Sequence, residues 1–305
     1  MSRLTSDREA RVKPSGSFRY RYQKTAWLML APALILLTIF VIWPLVMAVI
    51  RSFQDYNSGE FVGLYNFIYI LKTPSFVKAF SNVLLLTTII VALTMLVTFL
   101  FALLMRSLSN RFGYFTRACV FIPFFISGIV ASVIFNLLTN FGGGLIASLL
   151  ISAGKDPIGF AVEGNWPYII IIVITIWLTF GYQSLIMYAG LLQIPKNLYE
   201  AAQLDGANFL EQTLFITLPN MKNYFVLICI SLVTANLQMF EIPFMVTGGG
   251  PLESTLTPVM YLYNSFRDPG RPQNVTIAGA LLVMILIMVI NIIVFKTVRS
   301  EKSGE

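Results

Sequence analysis

Histidine is missing from this chain of 305 residues. Its absence removes the commonest general base and the commonest metal ligand. Charge is scarce too: 11% of residues are Asp, Glu, Lys or Arg, against about 25% in a soluble domain. Cysteine occurs only at Cys119 and Cys229, both in apolar stretches. Neither has a neighbour at metal-site spacing, so both read as small packing hydrophobes, with no disulfide framework and no zinc site. No Gly-x4-Gly-Lys-Ser/Thr loop is present to cradle ATP phosphates. The glycine clusters at 142–144 and 248–250 read as turns instead. No carboxylate pair lies within an apolar run. A membrane enzyme would therefore lack a convergent acid, base or nucleophile set.

What the chain has in quantity is apolar sequence, 57% of its residues. Long uncharged runs place it in the membrane class. The net charge of +7 is no nucleic-acid footprint, because the basic residues cluster at the ends of those runs. A span needs about 20 apolar residues. Six are expected, at about 26–50, 79–105, 118–138, 168–192, 223–246 and 272–295. The third and fourth are trimmed at the glycine cluster after residue 141 and at Trp166-Pro167. Backbone groups must be satisfied inside lipid, so each span is expected to be helical, an all-α membrane fold. Pro32, Pro44, Pro123 and Pro243 fall inside spans and are candidate kinks.

An even number of spans puts both termini on one side. That side carries 15 of the 21 Lys and Arg, the other six. The positive-inside rule makes the basic side cytoplasmic. The first apolar run exceeds a signal-peptide core and has no small-residue cleavage site after it, so it reads as an uncleaved helix. The expected organisation is a basic segment at 1–25, a six-helix domain at 26–296 with a cytoplasmic loop at 193–222, and a tail at 297–305.

That loop contains a polar island, NLYEAAQLDGANFLEQTLFITLP, at 197–219. Asn197 with Glu200 and Asn208 with Glu211 each read as capping boxes. Gly206 suits a left-handed helix end, and Pro219 reads as the stop of a second short helix. Small residues alternating with charges make a surface another protein can approach closely.

Glu200-Ala201-Ala202, then Asp205-Gly206-Ala207, then Ile216-Thr217-Leu218-Pro219 resembles the Glu-Ala-Ala coupling loop of permease subunits in binding-protein-dependent ABC importers. Phe61-Val62-Gly63-Leu64, Asn66-Phe67, Asn82, Phe121-Ile122-Pro123, Phe240-Glu241 and Thr247-Gly248-Gly249-Gly250-Pro251 extend the resemblance to carbohydrate-uptake permeases of the maltose and glycerol-phosphate type, the first of two paired subunits. Such a resemblance implies a type I importer permease in a bacterial or archaeal cytoplasmic membrane. It implies a distinct second permease, two cytoplasmic ATPase subunits holding ATP and Mg, and an extracytoplasmic solute-binding protein. The elbow residues Glu200, Ala201, Ala202, Asp205, Gly206 and Ala207 would couple the chain to an ATPase.

Polar side chains inside spans normally face protein or a cavity. Thr175, Thr179 and Tyr182 share one face of the fourth span, with Gln183 beside them; Asn236, Gln238 and Glu241 lie on the fifth. The resemblance places Thr179, Tyr182, Asn236 and Met239 at or near sugar-lining positions. The substrate-pathway set is therefore Thr179, Tyr182, Gln183, Asn236, Gln238, Met239 and Glu241, for a polyhydroxylated solute. The alternative function is an ion-coupled secondary transporter. Such a protein commonly buries acids at mid-membrane, and Glu241, off-centre, is the only acid in a span.

Overall fold

Residues 23–108 and 110–299 are described in a computed structural model. The expectations for residues 1–22 and 300–305 lie outside them. The chain divides into two units, Met1–Arg51 and Ser52–Glu305.

The first unit, where described, is residues 23–51 of one long helix, α1 (Gln23–Ser52). Pro32 is accommodated within regular helix, whereas Pro44 follows a π-turn at Thr38–Ile42. A proline crowds the carbonyl four residues before it and donates nothing back. The wider turn around Phe40 relieves that crowding.

In the second unit the helices are α2 (Tyr65–Lys72), α3 (Pro74–Ser107), α4 (Asn110–Phe121), α5 (Gly128–Thr139), α6 (Leu145–Ser152), α7 (Trp166–Leu192), α8 (Lys196–Leu204), α9 (Phe209–Asn220), α10 (Lys222–Leu237), α11 (Glu241–Val246), α12 (Pro258–Arg267) and α13 (Gln273–Arg299). Among the described residues four helices, α1, α3, α7 and α13, are long and apolar enough to cross a membrane. Two bent pairs bring the spans to six when each counts as one.

The bends revise the expected third and fifth spans. The third starts earlier, at Asn110, and turns by 97° between Arg111–Phe125 and Gly128–Thr139. Pro123 lies in a 3-10 turn (Ile122–Phe125) before the bend, and Ser127 caps α5 by accepting from the Val130 N–H at 3.3 Å. The fifth is interrupted at residues 238–240, with Pro243 in the first turn of α11 beyond the gap. Charge-free length shows neither break, because Ile126-Ser127 and Gln238-Met239-Phe240 carry no charge that would end a run.

Helix α3 begins with proline at its N-terminus, where a missing N–H costs nothing, and runs for 34 residues. At 1.5 Å per residue that is about 51 Å. It outreaches the roughly 30 Å hydrocarbon layer. Packing along α3 and α7 forms three apolar clusters. One holds Phe99, Met105, Met187, Leu191, Tyr199 and Met221 at the α8–α9 end. A middle cluster holds Leu86, Ile90, Ile171, Ile174, Met239 and Ile242. The third holds Ile70, Phe76, Leu256, Met260 and Val275 at the far end. Gly181 sets the spacing of α4 and α7: a Cβ there would sit 2.0 Å from the Val120 carbonyl oxygen.

At the far end asparagines tie loops down. Asn66 Nδ2 donates to the Ser52 and Gln54 carbonyls, both at 2.9 Å, and Asn274 Nδ2 also donates to Gln54 at 2.9 Å. Asn82 Nδ2 donates to the Glu253 and Leu256 carbonyls at 2.7 and 3.0 Å. Asp55 shapes the 53–62 loop: its Oδ1 accepts from the Ser58 and Asn57 N–H groups at 2.9 Å each. Those donors, Ser58 first, hold its pKa below the ordinary aspartate value.

Candidate functional site: a coupling elbow and two broken spans

Helix α8 is a little over two turns long, and α9 follows after a sharp corner. The corner is a Schellman turn. The Gly206 N–H donates to Gln203 O at 3.1 Å and the Ala207 N–H to Ala202 O at 2.9 Å. Gly206 has φ of +81°, the left-handed region where a side chain is strained. Asn208 then opens α9 with a complete capping box: its Oδ1 accepts from the Glu211 N–H at 3.0 Å, and Glu211 Oε2 accepts from the Asn208 N–H at 2.7 Å.

Two expectations for this loop need correction. Asn197 does not cap α8; the helix starts one residue earlier, after Pro195, whose fixed φ suits a helix entry. Pro219 does not stop α9. A π-turn at Thr213–Thr217 precedes it, as another precedes Pro44, and the chain stays helical to Asn220 before bending by 66° into α10.

The elbow presents one set of residues and buries another. Glu200, Ala201, Asp205 and Gly206 are exposed, and Ala202 and Ala207 are half-buried. Leu204 is 90% exposed, with Phe209 and Leu210 also outward. Rooting the elbow is Tyr199, only 7% exposed. Its hydroxyl shares a 2.9 Å hydrogen bond with Thr217 Oγ1 of α9. The Arg106 guanidinium, in the last turn of α3, lies 4.0 Å from its ring centroid. One side chain thus joins α8, α9 and α3. Sequence reading missed Tyr199 and Arg106. A tyrosine beside Glu200 was visible, but its burial follows from which face α8 turns inward.

The substrate-pathway residues gather at the two broken spans. Asn236, Gln238, Met239 and Glu241 surround the gap between α10 and α11. Asn236 and Met239 are buried, whereas Gln238 and Glu241 are exposed. Asn236 Nδ2 donates to Leu232 O at 2.7 Å, and the Met239 carbonyl accepts from Thr257 Oγ1 at 2.8 Å. Irregular backbone at membrane depth persists only where protein buries it or a cavity lines it. The Glu241 carboxylate crowds the start of α5: a Cβ on Gly128 would lie 2.6 Å from its Oε2. On the other side of the α4–α5 bend, Tyr182 of α7 stacks on Phe124, centroids 4.7 Å apart and planes 14° apart. Glu241 and Tyr182 therefore flank the same bend.

Two other α7 residues behave differently. Thr179 Oγ1 donates to Thr175 O at 2.8 Å, and Thr175 Oγ1 to Ile171 O at 2.7 Å, so both hydroxyls are spent on their own helix. Gln183 is 3% exposed and its Oε1 has no partner among the described residues. An unpaired buried carbonyl is costly, and such groups concentrate where a structure rearranges or takes in water.

Comparison with known proteins fits this geometry. Residues 106–299 match the family described as binding-protein-dependent transport system inner membrane component. The sulfoquinovosyl glycerol transport system permease protein SmoG of Agrobacterium fabrum is 34% identical over 253 residues, 80% of this chain and 82% of that one. The sn-glycerol-3-phosphate transport system permease protein UgpA of Escherichia coli is 29% identical over 289 residues, 92% of this chain and 96% of that one. A chain of a bacterial ABC transporter involved in import of the acidic polysaccharide alginate superposes with a TM-score of 0.83 at 21% identity, covering 93% of this chain and 98% of that one. The corresponding alginate transporter in complex with a pentasaccharide-bound periplasmic protein gives 0.80 at 22% identity, covering 91% and 94%. The chain belongs to the family of inner membrane components of binding-protein-dependent transport systems, and is a multi-pass permease subunit of an ABC importer.

Proposed function

We propose that this subunit conducts a sugar or related polyhydroxylated solute into the cytoplasm, driven through the α8–α9 elbow by a separate ATPase. The carrying observation is the elbow itself. It is a rigid corner with an exposed Glu200–Leu204–Asp205 face, anchored through Tyr199 to a span that crosses the bilayer. Relatives named for sulfoquinovosyl glycerol and glycerol phosphate transport support the solute class, as does one named for lactose transport.

On this reading the elbow and both termini are cytoplasmic, in agreement with the charge bias. Two ATPase subunits bind ATP and Mg, one of them receiving the elbow in a groove. A distinct sister permease completes the pathway, and a solute-binding protein delivers cargo from outside. Nucleotide-driven closure favours one conformation of the spans by binding the elbow more tightly in that state. The α4–α5 bend and the α10–α11 gap are the discontinuities at which the spans can rearrange. Tyr182, Gln238 and Glu241 offer an aromatic face, an amide and a carboxylate beside them.

Purified transporter in nanodiscs tests the coupling. Gly206→Pro demands a φ near −65° where the chain needs +81°. Glu200→Lys inverts the charge of the exposed face. Both variants should insert normally, abolish transport and lose cargo-stimulated ATP hydrolysis. Normal stimulation in either would refute the docking role.

A further inference from the structure

Between the last turn of α3 and the elbow lies a recess of about 250 Å³, walled by α3, α8 and α9. Arg106 is its one charged side chain, and no acid lines it. Among the described residues the Arg106 guanidinium has no carboxylate partner; it rests instead on the Tyr199 ring. The neighbouring donors are already used. Ser107 Oγ, Thr213 Oγ1 and Gln212 Nε2 donate to Leu104 O, Phe209 O and Ala207 O at 2.7, 2.7 and 2.8 Å. Thr217 Oγ1 donates to Gln212 O at 3.3 Å, which leaves the Tyr199 hydroxyl to donate to Thr217. The donors that remain in the wall are the guanidinium and the Gln203 amide.

A guanidinium resting on a ring spends its face and keeps its N–H donors in the plane. That fork matches a pair of phosphate oxygens. At about 30 Å³ per water, the recess has room for a phosphate group and part of the molecule that carries it. Its depth suits the same chemistry. Arg106 ends the uncharged stretch 79–105 of α3, which puts it at the hydrocarbon boundary, where phospholipid headgroups lie. Gln203, also in the wall, is exposed to water.

We propose that this recess binds a phosphate-type oxyanion through the Arg106 fork and the Gln203 amide. Two sources carry that chemistry, the headgroup of an anionic phospholipid and free phosphate. Bound there, the anion holds the guanidinium against Tyr199 and stiffens the joint between α3 and the elbow. That consequence for coupling rests on the importer reading above; the binding does not.

Two variants test the site. Gln203→Glu puts a carboxylate into the wall and leaves Arg106 and Tyr199 in place, and Arg106→Gln removes the charge. Each is purified as the complete transporter in neutral detergent, without nucleotide, beside the unaltered complex. In one arm phosphatidylglycerol or phosphatidylcholine is added, and retained lipid is counted by native mass spectrometry. In the other, inorganic phosphate is titrated and the thermal midpoint followed. The unaltered complex should retain phosphatidylglycerol over phosphatidylcholine, or gain midpoint with phosphate. Both variants should need about tenfold more ligand or beyond, the effect of losing a charge-assisted contact. Selective lipid retention identifies the headgroup as the occupant, and a phosphate response alone identifies the free anion. No response in the unaltered complex, or the same response in either variant, would overturn the proposal. A complex that binds the anion normally yet fails to import would refute the importer reading alone.

Discussion

Tyr199 concentrates the coupling problem into one side chain. Its ring lies in the apolar cluster at the elbow end, its hydroxyl binds Thr217, and Arg106 rests on its face. Tyr199→Phe deletes only the hydroxyl. Losing a buried hydrogen bond costs about 1 kcal/mol, and Thr217 Oγ1 keeps its 3.3 Å bond to Gln212 O. The subunit should still assemble, with ATP hydrolysis retained and solute moved per ATP reduced several-fold in proteoliposomes. Arg106→Gln should do the same through loss of the cation–π contact, and Arg106→Lys should restore part of it. An unchanged transport-to-hydrolysis ratio in Tyr199→Phe and Arg106→Gln would show that the joint is only packing. Neither role was legible in the sequence, since the ring contact joins residues almost a hundred positions apart and the hydroxyl bond crosses from α8 to α9. Local grammar was legible where both partners were close: Gly206 at the left-handed corner and Asn208 with Glu211 follow directly from spacing. Asn197 with Glu200 had the same grammar, but Pro195 starts the helix first.

Helices show the same division between local and distant causes. Four long apolar runs became α1, α3, α7 and α13 near their expected positions, because hydrophobic length alone specifies a span. The two interrupted spans did not follow the runs. Their breaks depend on packing: Glu241 against Gly128, Tyr182 against Phe124, and the Thr257 hydroxyl on the Met239 carbonyl. Close approach of α4 and α7 is equally invisible from one run. Gly181→Val places atoms on the Val120 carbonyl, and no side-chain rotation relieves a backbone clash. Overpacking of this kind costs about 1–3 kcal/mol or more. The variant should lower the yield of assembled subunit and its thermal midpoint, measured in detergent; wild-type stability would mean the two helices can part freely. At the α11 gap, Gln238→Ala should leave stability unchanged and weaken cargo stimulation of the ATPase, since its amide is exposed and makes only a long 3.3 Å bond to Thr234 O. An unaltered cargo dependence would remove it from the pathway.

In the second unit, α3 and α7 both reach from the elbow to the Leu252 loop, between α11 and α12. Arg106 in the last turn of α3 meets the elbow, while Ser75, Lys78 and Asn82 in its first turns hold the Leu252 loop. A single helix of about 51 Å therefore touches both the elbow and the loop at the opposite end. On the proposed function, that continuity is a physical connection through which events at one end can bias the other. The proposed function depends on one feature of topology, that the elbow lies in the cytoplasm against an ATPase. The direct measurement is a cysteine at Leu204, 90% exposed at the end of α8, with Cys119 and Cys229 replaced by serine. It should react with a membrane-impermeant thiol reagent only in inside-out vesicles, and a short bifunctional linker should join it to an ATP-hydrolysing subunit. Labelling in intact cells, or a purified complex with no such subunit to join, would contradict the account.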